Sequence, residues 1–294
     1  MKFGAPDNIE DLASLDLRLP ADHPDNPKVL TGKSTNPKVY VGCSVWGQDP
    51  WVGDLYPEGT KKKDYLQEYI KRMSCIELNS TFYNVKKANM QSWAEAAKGH
   101  DFKYCPKFNR RISHIKRLKD EVYELADYFV EMCNEFGDNL GTTFLQMPEN
   151  FGPKWFDRLK DFLAHLPKDF PVAVELRHEE WYQGEVFDEL FQMLSELNKT
   201  AVITDTAIKR EIIHQRLTKD QVFIRFAAYD QDPTNFARMD EWAGRLKDWI
   251  DQGVREVYFF SKQEDETFAP RQADYMIKKL NKVAGLTLTS PYAI

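Results

Sequence analysis

Between Val39 and Thr289, short runs of β-branched and apolar residues alternate with longer amphipathic stretches, and that rhythm admits few folds. The apolar runs are Val39 to Cys43, Cys75 to Leu78, Phe102 to Cys105, Thr143 to Leu145, Val172 to Leu176, Ala201 to Thr204, Val222 to Phe226 and Val257 to Phe260. Such short runs suit strands covered on both faces, as in a parallel sheet sheathed by helices. Helical spacing fills the gaps at Lys62 to Met73, Met90 to Ala97, Glu121 to Phe136, Trp155 to Leu166, Val186 to Leu197, Met239 to Gln252 and Gln272 to Val283. Asp205 to Gln221 is the weakest interval, although Ile208, Ile212 and Ile213 keep a helical spacing. Strand-helix alternation over about 250 residues predicts an α/β fold, a single TIM-like (β/α)8 barrel. A doubly wound open sheet is disfavoured because no Gly-rich phosphate turn follows the first run. No linker divides the series, so residues 39–294 are expected to form one domain. Residues 1–38, rich in Pro, Asp, Asn and Lys with one apolar stretch at Leu12 to Leu19, are expected to be an arm wrapped on it.

A chain of 294 residues that is 42% apolar can bury a sizeable core. Its net charge of -6 disfavours nonspecific binding to nucleic acid. No stretch approaches a membrane span, and Met1 to Pro6 lacks the apolar core of a signal peptide, so a cytoplasmic protein is expected. Cys43, Cys75, Cys105 and Cys133 lie far apart without Cys-x-x-Cys or zinc spacing, and they read as small core residues.

Charge interrupts the apolar runs in a regular way. In Val172 to Trp181 the alternation of a strand puts Ala173, Glu175 and Arg177 on one face and Val172, Val174 and Leu176 on the other. Glu175 and Arg177 are then roughly 6 to 7 Å apart at Cβ. Glu77 and Asn79 likewise oppose Ile76 and Leu78, and Arg225 opposes its neighbours Ile224 and Phe226. A buried charge needs a partner or a solvated cavity. Several facing strands carrying one at the same end predict a polar pocket at the carboxyl ends, where barrels of this kind place their sites. Ser44, Lys107, Gln146, His178, Asp205 and Lys262 join the list by position. A charge held for function rather than stability predicts that Glu175→Gln abolishes activity while leaving the melting temperature nearly unchanged or raised.

Several segments resemble the YecE-like family, also called domain of unknown function 72. They are Gly42-Cys43-Ser44-Val45-Trp46 with Tyr56-Pro57-Glu58-Gly59, and Ile76-Glu77-Leu78-Asn79-Ser80-Thr81-Phe82-Tyr83. Lys107 with Arg111-Ile112-Ser113-His114, and Phe144-Leu145-Gln146-Met147-Pro148, follow. Glu175-Leu176-Arg177-His178 with Trp181, then Asp205 and Arg225, complete them. The resemblance implies a TIM-like barrel and no established reaction. Where that family commonly has His-Gly after the seventh strand this chain has Ala227 and Ala228, and where it tends to have paired Asn after the eighth it has Lys262 and Gln263.

The residue types suggest acid and base chemistry, by a hydrolase, lyase or isomerase, on an anionic small molecule bearing phosphate or carboxylate. Glu175, His178, Glu77 and Asp205 are the catalytic candidates; Asn79, Lys107, Gln146, Arg177, Arg225, Lys262, Trp46 and Tyr83 are the substrate-binding ones. Arg guanidinium forks suit anionic oxygens, and His178 is placed to move a proton, although it also reads as a cap for the segment leading to Trp181. The first alternative is a metal-assisted phosphoesterase of the apurinic-endonuclease or sugar-isomerase type, with Glu77, Glu175, Asp205 and His178 on Mg²⁺ or Mn²⁺; few His and competing Arg argue against it. The second is binding of nucleic acid or another ligand without catalysis, through the basic run Lys103 to Lys119 and the aromatic Trp46, Trp51 and Tyr56, which read equally as a solvated face and a packed rim loop. No nucleophile triad and no nucleotide fingerprint stand out, so no cofactor and no resident metal are expected.

Overall fold

Each apolar run becomes a strand, and in the computed structural model, which describes Leu12 and residues 14–293, all eight pair in parallel. They are β1 Lys38–Cys43, β2 Cys75–Leu78, β3 Lys103–Pro106, β4 Thr143–Gln146, β5 Val172–Glu175, β6 Thr200–Asp205, β7 Gln221–Ala227 and β8 Glu256–Lys262. Their order is β3-β2-β1-β8-β7-β6-β5-β4. The ring nearly closes between β3 and β4, where Phe108 donates its N–H to the Phe144 carbonyl at 3.0 Å and Gly141 to that of Tyr104 at 2.7 Å. This is the expected TIM-like barrel.

Parity sorts the side chains. Residues such as Val41, Ile76, Val174 and Phe259 pack against the surrounding helices, while Tyr40, Cys75, Cys105, Phe144, Ala173, Val202, Phe223, Tyr258 and Phe260 form a separate inner cluster. Phe144 of β4 and Phe223 of β7 meet across the interior with ring centroids 5.8 Å apart, so the lower barrel is packed rather than open. Gly42 is needed on this inner face, because a Cβ there would lie 2.0 Å from the Cys75 carbonyl oxygen. All four cysteines are buried and unpaired, two of them on the inner face.

Helix boundaries agree with the spacing to within a few residues, with two exceptions. The helix expected from Met239 begins at Pro233, where Asp232 accepts a hydrogen bond from the Thr234 N–H at 2.8 Å and Pro233 occupies the first turn. This is an N-cap signal that apolar periodicity alone does not register. Between β6 and β7 the structure holds only the short turn Arg210–Ile212 in place of a full helix.

The arm covers that gap. Residues 1–11 and 13 of it lie outside the described part, but residues 14–37 run over the connection between β6 and β7 and over the helices Gly184–Glu196 and Pro233–Gln252. Leu12 and Leu17 pack on Ala207, His23 meets Phe187 at 5.8 Å, and Asp22 accepts from the Trp249 indole at 2.8 Å. Asn26 is fully buried; its amide donates to the Gln215 carbonyl at 2.8 Å and accepts from the Leu217 N–H at 2.8 Å. Asparagine here does the backbone pairing that a sixth helix would otherwise make unnecessary. Asn26→Ala should cost about 1 to 3 kcal/mol, because it strands two buried backbone groups; urea unfolding of the variant against the parent chain measures this.

Candidate functional site

Above the apolar layer the inward-facing positions turn polar. Arg225 of β7 is 4% exposed and donates from Nε and Nη2 to both oxygens of Glu77 at 2.7 and 2.8 Å. Its Nη1 reaches Glu175 Oε2 at 2.5 Å. Arg225 therefore ties β2 to β5 across the barrel through a planar fork that a lysine could not reproduce. Glu175 also accepts from Arg177 Nε at 2.6 Å and from the Gln146 amide at 2.9 Å. Gln146 in turn accepts from Lys107 Nζ at 2.8 Å, and Asn79 donates to Glu77 at 2.9 Å and to the Ser44 carbonyl at 3.2 Å. One connected polar network spans the mouth.

Its charges are set by burial and by one another. Burial alone would raise both carboxyls, but Arg225 outweighs it at Glu77, held near 2, and Arg177 with Arg225 does so at Glu175, held well below the ordinary range. Both are anions at neutral pH and poor proton donors. Burial pushes the Lys107 ammonium down to about 7, helped by the charge of Arg225 and opposed by Glu77 and Glu175. Lys107 also lies 4.4 Å from the Phe82 ring centroid, a cation–π contact. His114, beside Phe82 with ring centroids 4.9 Å apart, is pushed down to about 4 by burial and by the charges of Lys107 and Arg177. It is neutral where Lys107 titrates.

Residues 40–292 match the family model "Protein of unknown function DUF72". The chain belongs to the DUF72 family. It is 27% identical over 264 residues to the UPF0759 protein YecE of Escherichia coli (strain K12), covering 83% of this chain and 93% of that one. With the UPF0759 protein YunF of Bacillus subtilis (strain 168) it shares 23% identity over 168 residues, 53% of this chain and 56% of YunF. In fold it is similar to the crystal structure of a DUF72 family protein of Thermotoga maritima MSB8, with a TM-score of 0.65, 22% identity, and coverage of 83% and 99%. A DUF72 family protein of Enterococcus faecalis V583 gives a TM-score of 0.65 at 17% identity, covering 85% and 97%. These likenesses speak for the barrel and name no reaction.

Within this DUF72 barrel, Glu77, Asn79, Lys107, Gln146, Glu175, Arg177 and Arg225 converge as their strand parity requires. Two catalytic candidates do not. Asp205 has helix-facing parity on β6, and its carboxylate is held by Arg210 at 2.5 Å, Arg238 at 3.0 Å and the Trp242 indole at 2.7 Å. It fastens the barrel wall to the helix Pro233–Gln252. His178 caps the turn Glu179–Tyr182 through its Nδ1 and packs on Gly152. The donor set of a metal-assisted site is thus divided: Glu77 and Glu175 are spent on Arg225, and no group of three His, Cys, Asp or Glu side chains among the described residues is arranged to hold a metal ion.

Trp46 and Tyr83 belong to the rim: Trp46 packs edge-on against Trp93 at 5.8 Å, and Tyr83 is 67% exposed beside Phe82. Lys262 is half-buried, and its charge acts on Glu77 and Glu266. The basic run is divided along β3, while Arg110, Arg111, Arg117 and Lys119 beyond it are exposed. Lys103 sits at the amino-terminal end of β3, donating to the Asp138 carbonyl at 2.5 Å, whereas Lys107 is buried at the other end. The ion pairs of Glu77, Glu175 and Arg225 fill the floor of the mouth. A cavity of about 770 Å³ opens at the amino-terminal end, beside Lys38, His100 and Lys103. The sequence pattern does not mark His114 as a proton carrier or Glu266 at all, because His114 lies in the helical turn Arg111–Ile115 and Glu266 in a loop, where no strand parity points inward.

Two outcomes follow for stability. Glu175→Gln should destabilise the chain by about 3 to 5 kcal/mol, since it leaves Arg225 and Arg177 short of a counter-charge in a buried place; this reverses the expectation of an unchanged melting temperature, and chemical denaturation at pH 7 decides between them. The depressed Glu77 contributes stability that is fully present above its ordinary 4.5 and lost as pH falls through about 2. The gap between the parent chain and Glu77→Gln should therefore narrow steadily below pH 4.5, as read from urea midpoints along a pH series.

Proposed function

We propose that the carboxyl end of the barrel is an active site for proton transfer on a small anionic substrate, with Lys107 as the acid and base. The observation that carries this is a buried lysine, 8% exposed and hydrogen-bonded to Gln146, whose ammonium burial and the charge of Arg225 push down to about 7. A group with that ionisation can give or take a proton at neutral pH, which Glu77 and Glu175, fully ionised, cannot. The role that their positions suggested for Glu175 and Glu77 passes to Lys107, and the two carboxylates hold the positioning frame.

Arg177 and Lys262 line the upper side of the frame, less buried than Arg225, and supply positive charge toward an entering phosphate or carboxylate. Asn79, also half-buried, offers the polar contact on the β2 side. The floor gives an incoming anion no room to displace Arg225, so the guest rests above it. The reaction class that fits is an isomerisation or elimination driven by proton removal.

Inorganic phosphate and a panel of small sugar phosphates and carboxylates, titrated by calorimetry, test this reading. Affinity should be highest below pH 7, where Lys107 is protonated, and decline as pH rises through about 7. Lys107→Met should weaken binding by about tenfold, the worth of one charge-assisted contact, and for ligands without a hydroxyl remove that decline. Binding that is insensitive to both Lys107 and pH would overturn the assignment.

A further inference from the structure

A second titratable group stands at the same mouth, two to three strands round the ring from Lys107. Glu266, in the loop after β8, is 6% exposed, and its Oε1 accepts the hydroxyl proton of Ser44, the residue following β1. Its Oε2 accepts from the Gln263 N–H at 3.2 Å, and its carbonyl from the Trp51 indole at 3.0 Å. The backbone of Glu266 is left-handed, φ +60°, a conformation that a side chain with a Cβ disfavours. The loop is held in a disfavoured shape by contacts that bring this one carboxyl inward. The pair is continuous with the network, since Asn79 joins the Ser44 carbonyl to Glu77.

Ser44 then poses a simple count. A hydroxyl has one proton and two lone pairs. The proton is committed to Glu266, so towards the barrel axis, where Ser44 follows Tyr40 and Gly42 in parity, its oxygen can only accept. The basic groups around it can only donate. Thr204, on the inner face of β6, keeps a buried hydroxyl oxygen with no hydrogen-bond partner among the described residues. A guest that satisfies this lining offers anionic oxygens to the cations and a hydroxyl proton to Ser44.

We infer that Ser44 and Glu266 form a proton relay selecting hydroxyl-bearing anions, such as 2-hydroxy acids or sugar phosphates, a deepening that rests on the Lys107 reading. The step balances: the substrate O–H gives its proton to Ser44 Oγ as the Ser44 proton passes to Glu266, leaving a substrate alkoxide and a neutral carboxyl. The same path returns the proton. Burial raises Glu266 to about 7, against the Ser44 hydrogen bond and the charge of Lys262, with Glu77 adding repulsion. The Cys43 thiol, also within electrostatic reach, is itself pushed up by burial and stays uncharged. Glu266 thus becomes an acceptor as pH rises through about 7. It acts through Ser44 and is a positioning residue.

The experiment compares matched ligands that differ in one hydroxyl, lactate against propionate and glycerol 3-phosphate against propyl phosphate, by calorimetry at pH 6 and pH 8 on the full chain. The expected result is a preference for the hydroxyl compound of about tenfold at pH 8, smaller at pH 6, in whichever pair, carboxylate or phosphate, the site takes. Glu266→Gln, which keeps the shape, should abolish the preference and its pH dependence while leaving the deoxy ligand bound; Ser44→Ala should do the same. Lys107→Met should weaken both members of a pair equally and leave their ratio intact. Equal affinity for the two members in the parent chain, or a preference that survives Glu266→Gln, overturns the relay and leaves the Lys107 reading standing. No binding of any of the four ligands overturns both.

Discussion

The buried guanidinium of Arg225 is the constraint on which the upper half of this molecule depends. An arginine taken out of water must find counter-charge with the right planar geometry, and here it finds two carboxylates from strands on opposite sides of the barrel. Satisfying it fixes where β2, β5 and β7 stand relative to one another. It also fixes the ionisation of everything near it. Glu77 and Glu175 are forced to stay charged, and the residual positive field reaches Lys107, where burial has already weakened the hold on the extra proton.

That arrangement separates two tasks often assigned to the same residues. Carboxylates clamped by arginine are good at holding geometry and poor at exchanging protons, because the neutral form would abandon a buried cation. Lys107 and Glu266 are less tightly paired and lie at the edges of the network, and their ionisation falls near neutrality. The pattern of a rigid charged centre flanked by two tunable groups is physically suited to moving a proton across a bound molecule. Below it, the aromatic and thiol-lined inner layer keeps water out of the barrel and so maintains the low polarity that tunes them.

The missing sixth helix shows how a repeating fold tolerates a defect. Asp205 ends β6, and the short segment after it carries Arg210 and Arg216; the ion pairs and hydrogen bonds of these three are met among themselves, by the arm and by the helix Pro233–Gln252. Asn26 and Asp22 complete the seal. A stretch that reads as polar and irregular in sequence thereby does the covering work of a helix.

Eight alternating runs, with charges at fixed parity inside three of them, were enough to specify the barrel and to predict the convergence of Glu77, Asn79, Glu175, Arg177 and Arg225, because both strand periodicity and barrel closure are local rules repeated. Position at a strand end was not enough for Asp205 and His178. Asp205 differs from Glu175 only in facing the helices, and the choice of which neighbours a loop histidine meets is made by packing at Gly152. Whether the mouth is open or filled by its own ion pairs, which of several carboxyls and amines titrates near neutrality, and that Glu266 turns inward at all, depend on distances between residues far apart in the chain. Electrostatic energies vary steeply with such distances and with burial, and only the folded arrangement supplies either.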